Sequence, residues 1–515
     1  MTAAPSTRSR NLVLAAMIFA VSMTFIDQTI VSIAAPNIQR QLGLTSTGVQ
    51  WAINAYLLSL AALFAFGGRL ADTIGHRKMV TLGVIVFAAA SAFCGLTPHG
   101  SAAESWIVAF RVLQGVGGAI MFPAALAIVV QTFALQERGK ALALFFGIAG
   151  GLTAVGPALG GVLTQWTWRA IFWVNIPVAV IALILIAMSK PETEHRPAKM
   201  DYRGLVVIAA GVAISIFGFQ QSGTWGWSDA RTIACVAVGA ALLVLFVLLE
   251  HGIPSPLIEV TIFRIRPFLV ENLVLGISNL AFIPVFFFAS EYAQLSLGKS
   301  ASSASLVLLY FFVGFVIAAQ IGGRMLDRIG AKRPVVVGCA VGAVGFWLWG
   351  RHVAGLDLGK QVWFVVLSGA GMGLMLGQAS TDAVNRASRL SYGEATGITQ
   401  TVRTYAASLG IAVLGSLLVT QMHTHVTDSL VATGLPRAQA SAQASRIAQD
   451  IGQGQGAGHA AAPRFIRLDF AYATRSVLYA MAVVMAVAAL VALVGLRRGV
   501  QRDAATAPVD EPAAA

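Results

Sequence analysis

The chain has 515 residues, of which 57% are hydrophobic and only 11% charged, and its mean hydropathy is +0.76. Soluble globular domains carry about 25% charged residues, so a soluble enzyme or soluble binding module is excluded and an all-α polytopic membrane protein is expected. The net charge of +13 would suggest a nucleic-acid partner in a soluble chain. Here the basic residues sit in short loops between apolar spans, where they act as topology signals, and no nucleic-acid partner is expected.

The opening stretch "TRSRNLVLAAMIFAVSMTF" imitates a secretory signal, with basic residues ahead of an apolar run. A cleaved signal has an apolar core of about 7–15 residues. This one is longer and leads into further spans, so it reads as a retained first transmembrane helix. A window of about 20 apolar residues, the length that crosses the hydrocarbon, predicts fourteen spans: 11–35, 49–70, 79–97, 105–133, 140–164, 170–189, 204–223, 231–250, 268–290, 303–325, 333–350, 361–385, 396–420 and 471–496. With the N-terminus inside, Lys and Arg number 22 on inside segments and 11 on outside ones, Arg111 and Arg403 falling within spans. That two-to-one bias places both termini in the cytoplasm of a multi-pass cell-membrane protein. The segment 421–470, which contains the Ala/Gln/Gly-rich run from 434 to 464, is expected to be a long outside loop, partly helical or mobile. The tail 497–515 is expected to be disordered. Cys94, Cys235 and Cys339 lie in or at the ends of spans and read as small packing residues.

Residues 68–78 read "GRLADTIGHRK" and residues 323–333 read "GRMLDRIGAKR", so Gly, Arg, Asp, Ile, Gly and a basic pair recur at an offset of 255. Both fall on inside loops. A repeat in one orientation implies parallel duplicated halves, with a site at their interface. The offset exceeds six helices by about two, which predicts a six-helix bundle over 1–189, a linker with two extra helices over 190–267, and a second six-helix bundle over 268–496.

Here the sequence resembles a known family. "FIDQTIVSIAAP", "GGRLADTIGHRK", "RVLQGVGGA" (111–119) and "GGLTAVGPALGG" (150–161) resemble the ordered motifs of the fourteen-helix drug:proton antiporter branch of the major facilitator superfamily. "WRAIFWVNIP" (168–177) is similar to what the EmrB/QacA-type members carry after the fifth helix. Thr73 and His76 depart from the pattern, standing where the family commonly has basic residues. The resemblance implies the major facilitator fold, no cofactor and no metal. It also implies gating roles for the two loops, through Gly68, Asp72, Gly75, Arg77 and Lys78 in the first and Gly323, Asp327, Gly330, Lys332 and Arg333 in the second. Glycine permits the tight reversal, and the carboxylate is expected to lock one conformation by a charge-assisted contact with the basic pair. In the fifth helix, Gly151, Gly156, Pro157, Gly160 and Gly161 make up a motif that accompanies antiport. Spacing alone reads these glycines as close helix packing and Pro157 as a bend.

Asp27 is the acid that most needs explaining. A carboxylate within a span costs about 2.5–3.5 kcal/mol on insertion scales and is expected to face the interior and mark a pathway. All eight histidines fall in loops or at helix borders, and Glu104, Glu271, Glu291 and Asp382 lie within about a turn of a span end. Asp27 is therefore the expected proton carrier. With helix one ending near Ala35 it lies about 12 Å from the outer end, and Arg111 lies about 9 Å into helix four at 1.5 Å per residue, so the two are expected to pair. Trp51, Asn54, Tyr56 and Gln114 are candidate substrate-cavity residues for lipophilic, often cationic, compounds. The chain contains no H-E-x-x-H, no G-x-S-x-G and no paired midspan carboxylates, so an intramembrane enzyme is not expected. The parallel repeat and the lack of a pore signature disfavour a receptor or channel. The expected function is export of lipophilic compounds in exchange for protons, with a dedicated exporter of one endogenous metabolite, lipid or antibiotic as the alternative. The expected partners are small lipophilic substrates, protons and the lipid bilayer, with a membrane-fusion adaptor protein as an optional one, and the expected working unit is a monomer.

Overall fold

The computed structural model describes residues 7–133, 135–191, 201–253, 256–386, 392–452, 463–497 and 499. Among these the secondary structure is helical throughout. In chain order the helices are α1 (Thr7–Leu42), α2 (Ser46–Ile74), α3 (His76–Gly95), α4 (Ala103–Thr132), α5 (Leu135–Trp166), α6 (Ala170–Trp173), α7 (Asn175–Ser189), α8 (Tyr202–Trp225), α9 (Ala230–Glu250), α10 (Arg266–Leu295), α11 (Ala301–Ile329), α12 (Lys332–Val353), α13 (Leu358–Arg386), α14 (Tyr392–Ala432), α15 (Arg437–Gly452) and α16 (Arg464–Gly495). Thirteen helices among the described residues are long and apolar enough to cross a membrane, α6 and α7 together forming one of them. The 32-residue α5 supplies the remaining expected position. The sixth expected span, 170–189, is thus broken into two pieces at Val174.

Successive helices reverse direction through short turns. The end of the molecule that carries the turns at Gly75 and Gly330 is called the loop end below. Both glycines have positive φ, +112° and +80°, a conformation that a residue with a Cβ adopts only under strain. The first half packs as α1 against α5 and α7, with α4 against α2 and α3; the second packs as α13 against α11 and α12, with α16 against α10 and α12. The halves meet along α2 and α14, α5 and α11, and α1 and α10. The extra pair α8 and α9 lies between the halves in sequence but beside their seam in space. Ile208, Val212 and Ile216 of α8 share a buried cluster with Ala61 and Ala62 of α2, Ala395 and Ile398 of α14, and Leu257 and Ile258 of the connector that follows α9.

Several helix boundaries differ from the hydropathy windows. α1 runs through Pro36 to Leu42, seven residues past its expected end. A proline removes one hydrogen bond but does not stop a helix whose next turn remains packed, and Ile38 and Leu42 are buried. α14 is 41 residues long, about 60 Å at 1.5 Å per residue and twice the hydrocarbon thickness of about 30 Å. Its extension, together with α15 and the first turns of α16, fills most of the expected outside loop 421–470, and Ser429 of α14 donates to Asp469 of α16 at 3.0 Å. Polarity made this stretch read as a loop; tertiary contacts make it helical. The glycine cluster at 453–462 and the tail beyond Gly499 lie outside the described residues.

Candidate functional site

The sequence "RVLQGVGGA" is a packing device that aims two polar side chains at α1. A Cβ on Gly115 would lie 1.8 Å from Ser59 Oγ of α2, and one on Gly117 would lie 2.6 Å from the Phe87 nitrogen of α3. With α4 seated this closely on both neighbours, Arg111 and Gln114, one turn earlier, face Asp27. Arg111 Nη1 donates to Asp27 Oδ2 at 2.5 Å and to Gln114 Oε1 at 2.7 Å, and Arg111 Nε donates to the Ala52 carbonyl at 2.7 Å. Gln114 Nε2 donates to Asp27 Oδ1 at 2.8 Å. Both carboxylate oxygens are therefore held. The guanidinium also lies 4.4 Å from the Tyr56 ring centroid, a cation–π contact.

None of these groups touches solvent. Asp27, Gln114 and Tyr56 are 0% exposed and Arg111 is 1% exposed. In such low-dielectric surroundings each hydrogen bond is strengthened and each loss of a partner is costly. The network continues through residues that the sequence did not single out. Gln114 Nε2 reaches Ser91 Oγ at 3.4 Å, Asn175 Nδ2 donates to the same oxygen at 2.9 Å, and Ser91 itself donates to the Phe172 carbonyl at 2.8 Å. Asn175 is the Asn of "WRAIFWVNIP", the one signal that pointed to it.

The helix-five motif supports the same α1. A Cβ on Gly156 would come 2.0 Å from Thr29 Oγ1, and one on Gly160 would come 2.9 Å from Ile30 Cγ1. Gly156, Pro157, Gly160 and Gly161 are all buried. Thr29 is two residues from Asp27, so this face of α5 sets where the carboxylate stands. Gly151 lies on the same helix, and its surroundings fall outside the described residues.

The four candidate cavity residues do not form one lining. Tyr56 and Gln114 belong to the charged network. Asn54 turns the other way: its amide is 2.7 Å from that of Gln220 on α8, and it accepts from Ser408 Oγ of α14 at 2.9 Å. Trp51, half-buried, packs its ring 5.8 Å from Phe217 of α8. Residues three apart share a helix face and residues two apart do not, which separates Trp51 and Asn54 from Tyr56.

In the first loop, Asp72 is bonded to His76 Nε2 at 3.0 Å, while Arg77 and Lys78 are exposed. This corrects the expected contact with the basic pair. His76, the departure from the family pattern, begins α3 and is 2% exposed, so it comes to Asp72 across the turn. Gly68, Arg69 and Asp72 line a narrow cleft with Leu257 of the connector and Gly397 and Ile398 of α14. In the second loop Asp327 and Arg333 are exposed, Lys332 is half-buried, and Gly323 has open space around it.

The sequence matches the family model described as Major Facilitator Superfamily over residues 17–411. The chain belongs to this superfamily. Its fold is shared with solved transporters: the POT family transporter PepTSo superposes with a TM-score of 0.59 at 14% identity, covering 95% of this chain and 99% of that one. An inward-facing bacterial homolog of the human lysosomal transporter Spinster superposes with a TM-score of 0.58 at 16% identity, covering 95% and 98%. Among related sequences, the tetracenomycin C resistance and export protein of Streptomyces glaucescens is 34% identical over 82% of this chain and 79% of its own length. The cephamycin export protein CmcT of Amycolatopsis lactamdurans is 31% identical over 80% and 85%, and the multidrug transporter protein MdtP of Bacillus subtilis is 29% identical over 85% and 81%. As a member of the superfamily the chain is a multi-pass membrane transporter of small molecules and not an enzyme.

Proposed function

We propose that the protein exports lipophilic drugs or toxic compounds, some of them cationic, across the cell membrane in exchange for protons. One observation carries the proton part of this reading: a carboxylate with no solvent exposure whose two oxygens are both held by Arg111 and Gln114. Protonating Asp27 removes the charge that pairs with Arg111. A buried cation without its partner is costly, so the proton shifts the balance between conformations that keep Arg111 in place and those that re-solvate it. The positive bias of the loop-end segments supports a cytoplasmic loop end and cytoplasmic termini. In that orientation Asp27 takes its proton from the far, external side.

The reading divides the chain into a first half over 1–189, the linker with α8 and α9 over 190–267, and a second half over 268–496, and a monomer is the working unit. Trp51 and Asn54 stand where α2, α8 and α14 meet, which supports a substrate wall at that seam. The loop residues Asp72 and His76 act as a latch on the transition, and the α1–α5 glycine contact carries α1 as it moves. The export of drugs is supported by two relatives named as export proteins and one named as a multidrug transporter. Two of those names specify one compound each, tetracenomycin C and cephamycin, which favours a second reading, a dedicated exporter of one endogenous metabolite, lipid or antibiotic. Efflux from everted vesicles against a panel of lipophilic cations, neutral polyketides and β-lactams separates broad from dedicated export.

The coupling test is Asp27→Asn, which preserves volume and removes the titratable charge. The expected result is a folded protein that still binds substrate and has lost efflux driven by a pH gradient. If the variant still concentrates substrate against its gradient, Asp27 is not the coupling carboxyl.

A further inference from the structure

A second buried acid cluster lies at the loop end of the other half and takes no part in the reading above. Glu271 on α10 is 0% exposed, and no hydrogen-bond donor reaches either of its carboxyl oxygens. The group it meets is another acid. Asp382 on α13, 5% exposed, brings its carboxyl within hydrogen-bonding reach of Glu271. Arg386, one turn further along α13, donates Nε to Asp382 Oδ2 at 2.7 Å and has 18% of its side chain exposed.

Two carboxylates in contact and away from water cannot both stay ionised, and they hold one proton between them. Arg386 decides which partner keeps the charge. Its hydrogen bond goes to Asp382 Oδ2 and no donor reaches Glu271, so Glu271 is the member of the pair left without a cation, and a bond between the two acids requires the shared proton. The charges acting on Glu271 are those of Asp382 and Arg386. From α12 the thiol of Cys339 faces it. On α14 the nearest cation, Arg403, adjoins Val402, which would meet a Cβ on Gly276, over a turn further along α10, and bonds Gln400. Past the end of α16 stands the exposed Arg497, two residues beyond Gly495, whose neighbour on α10 is Val270.

Position adds to the chemistry. Glu271 is five residues from the start of α10 and Asp382 four from the end of α13, about 7 Å and 6 Å from the loop end at 1.5 Å per residue. Arg386 connects the pair to the surface there. Asp27 lies 15 residues from the opposite end of α1, in the other half. Asp27 thus marks a buried acid site deep in the first half, and Glu271 with Asp382 marks one close to the loop end in the second.

We propose that Glu271 and Asp382 form a second proton-binding site, a carboxylic acid–carboxylate pair that exchanges one proton with water at the loop end beside Arg386. The proposal rests on the proton-coupled reading for its place in transport, but the binding of a proton is measurable without transport. When the proton leaves, it passes from Glu271 to water, and the two anions that remain repel each other and separate α10 from α13. Arg386 can neutralise only one of them.

The experiment is an infrared difference spectrum of the purified, full-length transporter between mildly acidic and mildly alkaline buffer, run beside pH-gradient-driven efflux. A protonated-carboxyl band is expected in the parent and in Asp27→Asn, and its loss in Glu271→Gln. Efflux driven by the gradient is expected to be lost in Glu271→Gln while substrate still raises its melting temperature. Asp382→Asn leaves Glu271 in place and changes its partner, so the band is expected to shift there, which keeps the test decisive should Glu271→Gln not fold. A band unchanged in both variants overturns the site. If the parent itself shows no gradient-driven efflux, the coupling reading fails, while a Glu271-dependent band still establishes the proton site.

Discussion

The two halves repeat one helix crossing and fill it with opposite chemistry. Gly83 of α3 and Gly117 of α4 bring those helices together in the first half. Gly338 of α12, 255 positions after Gly83, meets Gly371 of α13 in the same way, a Cβ on either member of each pair lying under 3 Å from the partner's backbone. Six residues before Gly117 stands Arg111; six before Gly371 stands Val365, 0% exposed. The position 255 after Asp27 is Phe282, which joins Phe286, Phe311, Phe312 and Phe315 in a cluster with ring centroids 5.1–6.4 Å apart. Aromatic contacts of this kind add stability that does not depend on pH. A shared backbone scaffold thus supports a buried ion-pair network at one crossing and an apolar aromatic cluster at the other. The loops differ in the same sense: Asp72 has a buried histidine partner, and Asp327 is exposed.

The comparison breaks most visibly at the ion pair. Asp27→Asn and Arg111→Gln are each expected to lower stability by about 3–5 kcal/mol, the range for orphaning one member of a buried pair. The double variant is expected to lose much less than the sum. Thermal unfolding of the three variants measures this, and simple additivity would mean that the residues do not interact.

A smaller effect is expected at the helix-five contact. Gly156→Val forces two methyl groups against Thr29 and the Ile26 carbonyl, and overpacking of this kind costs about 1–3 kcal/mol. Because α1 is displaced, gradient-driven efflux is expected to fall even in material that remains folded. Efflux at the parental rate would reduce the motif to packing without influence on Asp27.

The loops give the two smallest effects and the sharpest contrast. Asp72→Asn weakens a partly exposed contact to His76, with an expected cost of about 0.5–1 kcal/mol and slower exchange between conformations in an accessibility assay. Asp327→Asn removes an exposed charge and is expected to stay within about 0.5 kcal/mol of the parent. Equal effects from both substitutions would show that the loops act as true equivalents despite their different surroundings.

Much of this architecture is legible in the chain because it is written in local terms. Crossing a membrane requires about 20 apolar residues, so the spans can be read one at a time, and a duplicated loop is visible by alignment of the chain with itself. Asp27 stood out for the same reason, as a charge where the local solvent is hydrocarbon. The boundaries at Leu42 and Ala432 were not legible, since packing continued α1 beyond Pro36 and α14 through a polar stretch. Nor was the second acid pair: 111 positions separate Glu271 from Asp382, and each taken alone passed as an acid near a helix end. His76 was read as a departure from a pattern, and only the turn at Gly75 set it against Asp72. Hydropathy and repeats are properties of a segment, and the sequence determines them. Which carboxylate finds a cation, which finds another acid and which faces water is a property of distances between segments, and that was decided where the helices cross.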